Sequence, residues 1–329
     1  MAHARRPTLV VGATGQLGSR IVRRLVELGH PVRAFVRPQS GHARLPQRGV
    51  EKVLGDLTDP SSVDDACRGA GVVMATANSV VPIGQTGFEA VEGRGYGHLI
   101  EACQRHAVDQ IVMISVPAFP GDQRVPTFRY KRLNEQRVRA SGLPHTILRA
   151  APFMDDWFAF IGSRLPARGD AEALVNRPWG FLQTFMGVVG NLVEQRGIAL
   201  IPGPTRTRHA FIAIDDVAEY MVRAAGHPAT RDAVLDIGGP QVLSWDDVAA
   251  LFAQVLGRPV RSVSTPRAVF RAQQLLMRPF SEAASNIMGL NWAVSHETPF
   301  DSSALAVTLG VKPTRAEQFL RAQAARPAA

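Results

Sequence analysis

The sequence predicts a doubly wound parallel α/β sheet with a smaller, discontinuous second region. Three observations carry this. Short apolar strand patterns alternate with helical patterns from residue 8 to residue 149, a glycine-rich turn joins the first strand to the first helix, and a further strand pattern returns near residue 234. Strands separated by helices form βαβ units, and right-handed crossovers make the doubly wound sheet the economical arrangement. Of the 329 residues 46% are hydrophobic and 20% charged, so a packed core is expected and disorder is not.

Thr8–Val11 is a short apolar strand. In the helix Leu17–Leu28, Leu17, Ile21, Leu25 and Leu28 recur at helical spacing, and Gly29 stops it. Pro31–Val36 and Val50–Leu54 are the next strands. Ser61–Cys67 is a helix with Ser61 as its cap, followed by the strand Gly71–Ala75 and the helix Gly87–His106. Gln110–Ser115 and His145–Arg149 are strands around the helix Arg129–Ser141, which Gly142 ends.

Past Phe153 the pattern changes. Residues 158–194 are rich in aromatics, Gly and Pro, with a helical stretch over Phe181–Val193. Ala210–Ile214 leads into Asp215 and Asp216, Asp215 being placed to cap a helix running to Ala225. Val234–Ile237 reads as another strand of the main sheet. Trp245–Leu256 is a helix capped by Ser244, with Asp247 as its capping-box partner. The expected division is a Rossmann-type domain over 1–153 and 209–239, with 154–208 and 240–329 laid over the carboxyl edge of its sheet.

The strongest local signal is Gly12-Ala13-Thr14-Gly15-Gln16-Leu17-Gly18, set between strand and helix. Gly12 permits the tight turn, Gly15 lets the backbone approach a pyrophosphate, and Gly18 lets the helix pack against the sheet. The helix N-terminus offers free N–H groups and a favourable dipole. Gly12, Thr14, Gly15, Gln16 and Leu17 are therefore the expected dinucleotide contacts. The second strand ends at Arg37, where an NAD site usually places an acidic residue for the ribose hydroxyl. A guanidinium matches a 2′-phosphate instead, so NADP(H) is the expected cofactor. Arg44 is a possible helper. Asp56 and Leu57 follow the third strand and would meet the adenine, although an Asx-turn also accounts for Asp56. Ala75, Thr76 and Ala77 end the fourth strand with small side chains over which the dinucleotide would lie.

These motifs, with GDLTDP at 55–60, IVMISV at 111–116, SGLPHTILRAAPF at 141–153 and FIAIDDVAEYM at 211–221, resemble the NmrA-like, NAD(P)-binding group of atypical short-chain dehydrogenase/reductases. The resemblance covers nearly the whole chain except 160–208. It implies a dinucleotide-binding fold and leaves the activity open. The group includes NADPH-dependent reductases of quinones and small aromatics, redox-sensing regulators and pigment-protein assembly factors. In catalytic members of the wider superfamily a Tyr donates a proton and a Lys four residues later binds the nicotinamide ribose. Lys131 matches the lysine, but Thr127 stands where the tyrosine would be, and Tyr130 points about 100° away around the helix. Lys131 and Ser115, the latter at the end of the fifth strand, are the expected catalytic positions. A Lys131–Glu135 pair along the helix is the bland alternative.

Phe153 and Trp157, where the chain leaves the sixth strand, and His209, before the apolar stretch into Asp215, are the expected substrate contacts. They suit a small apolar or aromatic substrate, and packing between the two regions or a surface histidine are the competing readings. Cys67 and Cys103 read as buried thiols. No cluster has metal-ligand composition, so no metal is expected. The net charge of +9 is scattered, with no aromatic-interleaved basic stripe, which argues against nucleic acid. The uncharged segment 178–193 is too short to span a bilayer. It is expected to bury Phe181, Phe185, Val188, Val189 and Leu192 against the second region, a homodimer or another protein. With no signal peptide at the N-terminus, a cytoplasmic location is expected. Two functions stay open: an NADPH-dependent oxidoreductase of a small aromatic, quinone or enone, and a non-catalytic NADP(H)-responsive regulator or assembly factor.

Overall fold

The computed structural model describes residues 6–41, 45–79, 87–171, 173–177 and 179–327, without the Phe181 side chain. Arg44 and Pro178 lie outside them. The elements run β1 (Thr8–Val11), α1 (Gln16–Glu27), β2 (Val32–Val36), β3 (Val50–Leu54), α2 (Pro60–Cys67), β4 (Val72–Ala75), α3 (Tyr96–Arg105) and β5 (Gln110–Ser115). They continue with α4 (Pro126–Ala140), β6 (His145–Ala150), α5 (Met154–Phe160), α6 (Gly180–Val189), α7 (Leu192–Arg196), β7 (Ile198–Pro202), β8 (Arg208–His209), α8 (Ile214–Ala224) and β9 (Ala233–Ile237). The chain ends with β10 (Leu243–Ser244), α9 (Trp245–Leu256), β11 (Arg261–Thr265), α10 (Arg267–Met277), α11 (Glu282–Val294), α12 (Ser303–Leu309) and α13 (Ala316–Ala324).

Among the described residues a seven-stranded parallel sheet has the order β3-β2-β1-β4-β5-β6-β9. Chain direction across the sheet reverses between β1 and β4, and Val11 sits opposite Ala75 there. That switch point opens the crevice in which doubly wound folds bind ligands. Ile21, Val22 and Leu25 of α1 and Val217, Tyr220 and Met221 of α8 cover one face. Val63, Ala66 and Cys67 of α2 and Leu99, Ile100 and Cys103 of α3 cover the other. Phe158, Phe211, Trp245, Phe252 and Phe319 form a separate aromatic core under the later elements. Two small sheets, β7 with β11 and β8 with β10, complete this part.

Four local expectations are corrected. The cap of α2 is Asp59, which accepts from the Ser61 N–H, and Pro60 takes the first helical position, where its missing N–H costs nothing. The long helix expected from Gly87 opens instead with a π-helical stretch, Glu89–Gly95, before α3. Helix α8 starts at Ile214 and is capped from a distance: Asp155 Oδ2 accepts from the Ile214 N–H at 2.9 Å. Asp215, inside the helix, pairs with Arg20 at 2.7 Å. In α6 the buried residues are Leu182 and Met186, while Val188 is 76% exposed. Phe185 packs partly buried against the same cluster as Leu182 and Met186. The helix ends at Val189, and Val193 of α7 is the next buried apolar side chain. Among the described residues no helix is long and apolar enough to cross a membrane.

Candidate dinucleotide site

The glycine turn is shaped by close approach. Gly12 has φ of +87°, a left-handed conformation that favours glycine. A Cβ on it would stand 2.7 Å from the Ala77 nitrogen and 2.8 Å from Thr76 Oγ1. A Cβ on Gly18 would stand 2.1 Å from the Gly12 carbonyl oxygen, so only glycine lets α1 sit this close to the turn. Thr76 donates through both its N–H and its hydroxyl to the Val11 carbonyl, each at 2.9 Å, joining the end of β4 to the end of β1. Gly15 caps α1 without a side chain, which leaves the first N–H groups of the helix for an anion. Leu17 is buried, so it reaches a ligand only through its backbone. From the second region Arg177 Nη2 donates to the Thr14 carbonyl at 3.3 Å, bringing a guanidinium to the turn.

Lys131 sits at the other end of the crevice. Its side chain is 5% exposed, its Nζ lies 3.5 Å from Glu92 Oε2, and it stands over the Tyr96 ring at 5.6 Å. Tyr96 in turn donates to the Ala77 carbonyl at 2.7 Å, which sets the ammonium beside the end of β4. Burial pulls the Lys131 pKa down, but Glu92 and Tyr96 outweigh it and hold the group above the ordinary lysine value, firmly cationic. Nζ has no hydrogen-bond partner among the described residues. The π-helical stretch explains the pairing: its wider turn delivers Glu92 to Lys131 and Glu89 to Tyr130, whose hydroxyl donates to Glu89 at 2.7 Å. Lys131 thus pairs with Glu92, and Glu135 is occupied by Arg132 and Arg149. The cradle that Cβ atoms would fill, the uncapped helix and the orphaned ammonium together fit a dinucleotide.

Residues 12–172 match the family model described as NAD(P)H-binding. The match covers just under half of the chain. The chain is 28% identical over 256 residues to an NAD(P)H azoreductase of Xenophilus azovorans, covering 78% of this chain and 76% of that one. It is 25% identical over 262 residues to the photosystem II assembly factor Ycf39 of Cyanophora paradoxa, covering 78% and 71%. Its fold superposes with a TM-score of 0.70 on an NADPH-dependent quinone oxidoreductase of Escherichia coli complexed with NADPH, at 18% identity over 95% of this chain and 98% of that one. The resemblance read from the motifs holds.

Within this NAD(P)H-binding frame the adenine end is mixed. Arg37 is exposed at the end of β2 and makes no ion pair among the described residues. Asp56 Oδ1 accepts from the Thr58 N–H and hydroxyl, the Asx-turn alternative. Leu57 is buried, and a Cβ on Gly95 would stand 2.8 Å from its Cγ, so it packs under the π-helical stretch rather than flanking the crevice.

On the chemistry side, Ser115, His209, Phe153 and Trp157 are all engaged by contacts within the protein. The Ser115 hydroxyl donates to Glu135 inside a buried Arg132–Glu135–Arg149 cluster, which occupies its proton. His209 is fully buried, Nδ1 is 2.8 Å from Thr298 Oγ1, and Phe211 and Trp245 close on its ring. Burial pushes its pKa to about 3, so it is a neutral core residue. Phe153 is partly buried against the sheet core with its backbone bridged to Ile212, and Trp157, also partly buried, meets Phe160 of the same helix edge-on.

The hollow that does lie past the carboxyl end of β5 has a volume of about 440 Å³ and is lined by Phe119, Thr207, Arg206, Arg267, His296 and Glu297 among others. Phe119 stacks on His296 with ring centroids 4.7 Å apart. His296 Nδ1 lies 2.9 Å from the Trp292 carbonyl, so that nitrogen carries the proton. Nothing in the local pattern pointed to Phe119, His296, Glu92 or Arg177. Only tertiary packing sets their positions.

Proposed function

We propose that this protein is an NADPH-dependent oxidoreductase that transfers hydride to a small aromatic, quinone or enone substrate. The observation that carries this reading is Lys131, a buried cation with an unused donor beside the end of β4. Bound NADPH supplies the hydride. Gly12–Leu17 hold the pyrophosphate through backbone N–H groups, with Arg177 alongside. Lys131 donates to the ribose hydroxyls and offsets negative charge developing on a substrate oxygen. No side chain is assigned as the acid: Thr127 has no acidic hydroxyl and donates to Asn286 Oδ1 at 3.0 Å, while Tyr130 donates to Glu89. Protons then come from solvent, which a quinone or activated alkene tolerates better than an ordinary ketone. The cavity beside Phe119 and His296 suits a flat ring, and azo and quinone reduction by the relatives named above supports that class.

The expected result is NADPH consumption with at least one quinone, enone or azo compound. Cofactor binding without turnover on any of them would transfer support to an NADP(H)-responsive regulator or assembly factor, for which exposed Val188 on α6 is the first docking position to probe.

The same reading gives Arg37 the 2′-phosphate. Arg37→Asp is expected to weaken NADPH binding by about tenfold to a hundredfold, the loss of one charge-assisted contact, and to leave NADH affinity little changed. Titration calorimetry with both cofactors checks this, and equal affinities in the unmodified protein would overturn it.

A further inference from the structure

Helix α10 carries apolar residues on two sides. Its one buried residue is Gln274, whose Nε2 donates to the Arg124 carbonyl at 3.0 Å and whose carbonyl accepts from Ser285. Phe270 packs partly buried against Val125, Phe128 and Trp292, but other apolar residues face out: Val269 is 39%, Leu275 52% and Leu276 61% exposed, and Phe280 just beyond the helix is 80% exposed. At about 100° per residue, Ala268, Val269, Ala272, Leu275 and Leu276 form one continuous outward arc, and Arg267, Arg271 and Arg278 form a row along its edge. A globular helix buries one apolar stripe and turns a polar face to solvent, so a second, exposed apolar arc departs from that pattern.

Charge follows the same pattern. Residues 248–281 contain no Asp or Glu, against Arg258, Arg261, Arg267, Arg271 and Arg278. Arg124, Arg267, Arg271 and Arg278 are in no ion pair among the described residues. Arg271 lies over the Trp292 ring at 5.6 Å, and burial together with repulsion from Arg124 and Arg278 lowers its affinity for its own proton. This is an uncompensated cationic row beside an exposed apolar arc.

We propose that α10 and the Pro279–Phe280 turn dock this protein onto an anionic membrane surface, lying in the interface without crossing it. The apolar arc would enter the headgroup boundary while the arginines meet lipid phosphates, the arrangement of interfacial helices. A second copy of the chain fits less well, because a two-fold contact through this patch sets one basic row against the other. An acidic peptide would need a groove, and this surface is the convex side of a helix. Arg267 also lines the cavity beside Phe119, so the docked face borders its mouth. The assignment is separate from the reductase reading, since its test requires no turnover.

The test is co-sedimentation of the full chain with vesicles. Binding is expected to phosphatidylcholine vesicles that contain phosphatidylglycerol, and to be about tenfold or more weaker both to phosphatidylcholine alone and at high salt. Leu276→Glu combined with Phe280→Glu should reduce binding to the anionic vesicles by about tenfold or more, because both residues face out and insert charge into the contact. Circular dichroism and NADPH affinity should be unchanged in that variant. Val307→Glu, at a site 83% exposed elsewhere, should bind as the unmodified chain does. No binding to the anionic vesicles at low salt would overturn the proposal, as would equal binding by the Leu276/Phe280 variant. A dimer that this variant splits, with no vesicle binding, would assign the face to a second copy.

Discussion

Lys131→Met is expected to destabilise the fold by about 3–5 kcal/mol and to abolish measurable turnover. The structural part follows from Glu92, which is 0% exposed and pairs with no other cation among the described residues; breaking one side of a buried ion pair leaves the other charge uncompensated, at the cost quoted. Stability and chemistry can be separated by a second change. Glu92→Gln in the Lys131→Met background removes the stranded charge, keeps an acceptor for the Ser79 N–H, which now bonds Glu92 Oε1 at 3.0 Å, and should restore most of the stability. It should not restore turnover or full NADPH affinity, because the ammonium is still absent. Urea midpoints and cofactor titrations on the single and double variants decide the matter. If the double variant recovers cofactor affinity along with stability, Lys131 is a structural cation and the ribose role is wrong. Tyr130→Phe serves as the comparison: it loses one hydrogen bond to Glu89, about 1 kcal/mol, and should leave turnover intact.

What could be read in the sequence was what depends on neighbours in the chain. Strands β1, β3 and β5 were legible residue for residue, because each is a short stretch rich in β-branched and aliphatic residues between turn signals. So was α9 with its Ser244–Asp247 capping box, a motif confined to four positions. The glycine turn was legible for the same reason, since strand, turn and helix follow one another directly. The cap of α8 was not, because Asp155 reaches it from 59 residues away. Nor was Glu92. A glutamate between apolar helix positions reads as solvated, and only the π-helical stretch turns it inward against Lys131. His209 failed in the same way: proximity to an apolar stretch marked it as a site residue at the cleft mouth, whereas Trp245, from a helix still to come, seals it in the aromatic core.

That sealed imidazole predicts how the protein responds to acid. His209 has its pKa pushed by burial from 6.5 to about 3, so the folded state leaves it neutral where the unfolded chain would protonate it. Between those two values the unfolded state binds the extra proton, and stability therefore falls as pH falls, by about 1.4 kcal/mol per pH unit for this one group. Above about pH 6.5 the contribution is fully present. Asp155, raised by burial to about 7 despite Arg20, and Asp216, raised by burial to about 6, act with the opposite sign. They bind protons in the folded state that the unfolded chain releases, so they favour the fold as pH drops towards 4. The overall acid profile mixes these effects, and the difference between two proteins isolates one of them. His209→Gln keeps a polar partner for Thr298 Oγ1 and cannot take up a proton in this range. Any packing loss from the substitution should be a constant offset, so the informative quantity is how the gap between variant and unmodified protein changes with pH. Urea unfolding at about pH 7 and about pH 4.5 is expected to shift that gap by roughly 3 kcal/mol in favour of the variant at the lower pH. Unfolding free energies that run parallel across this range would mean that His209 takes up its proton in the folded state as readily as in the unfolded one, and the closed aromatic cage around it would be wrong.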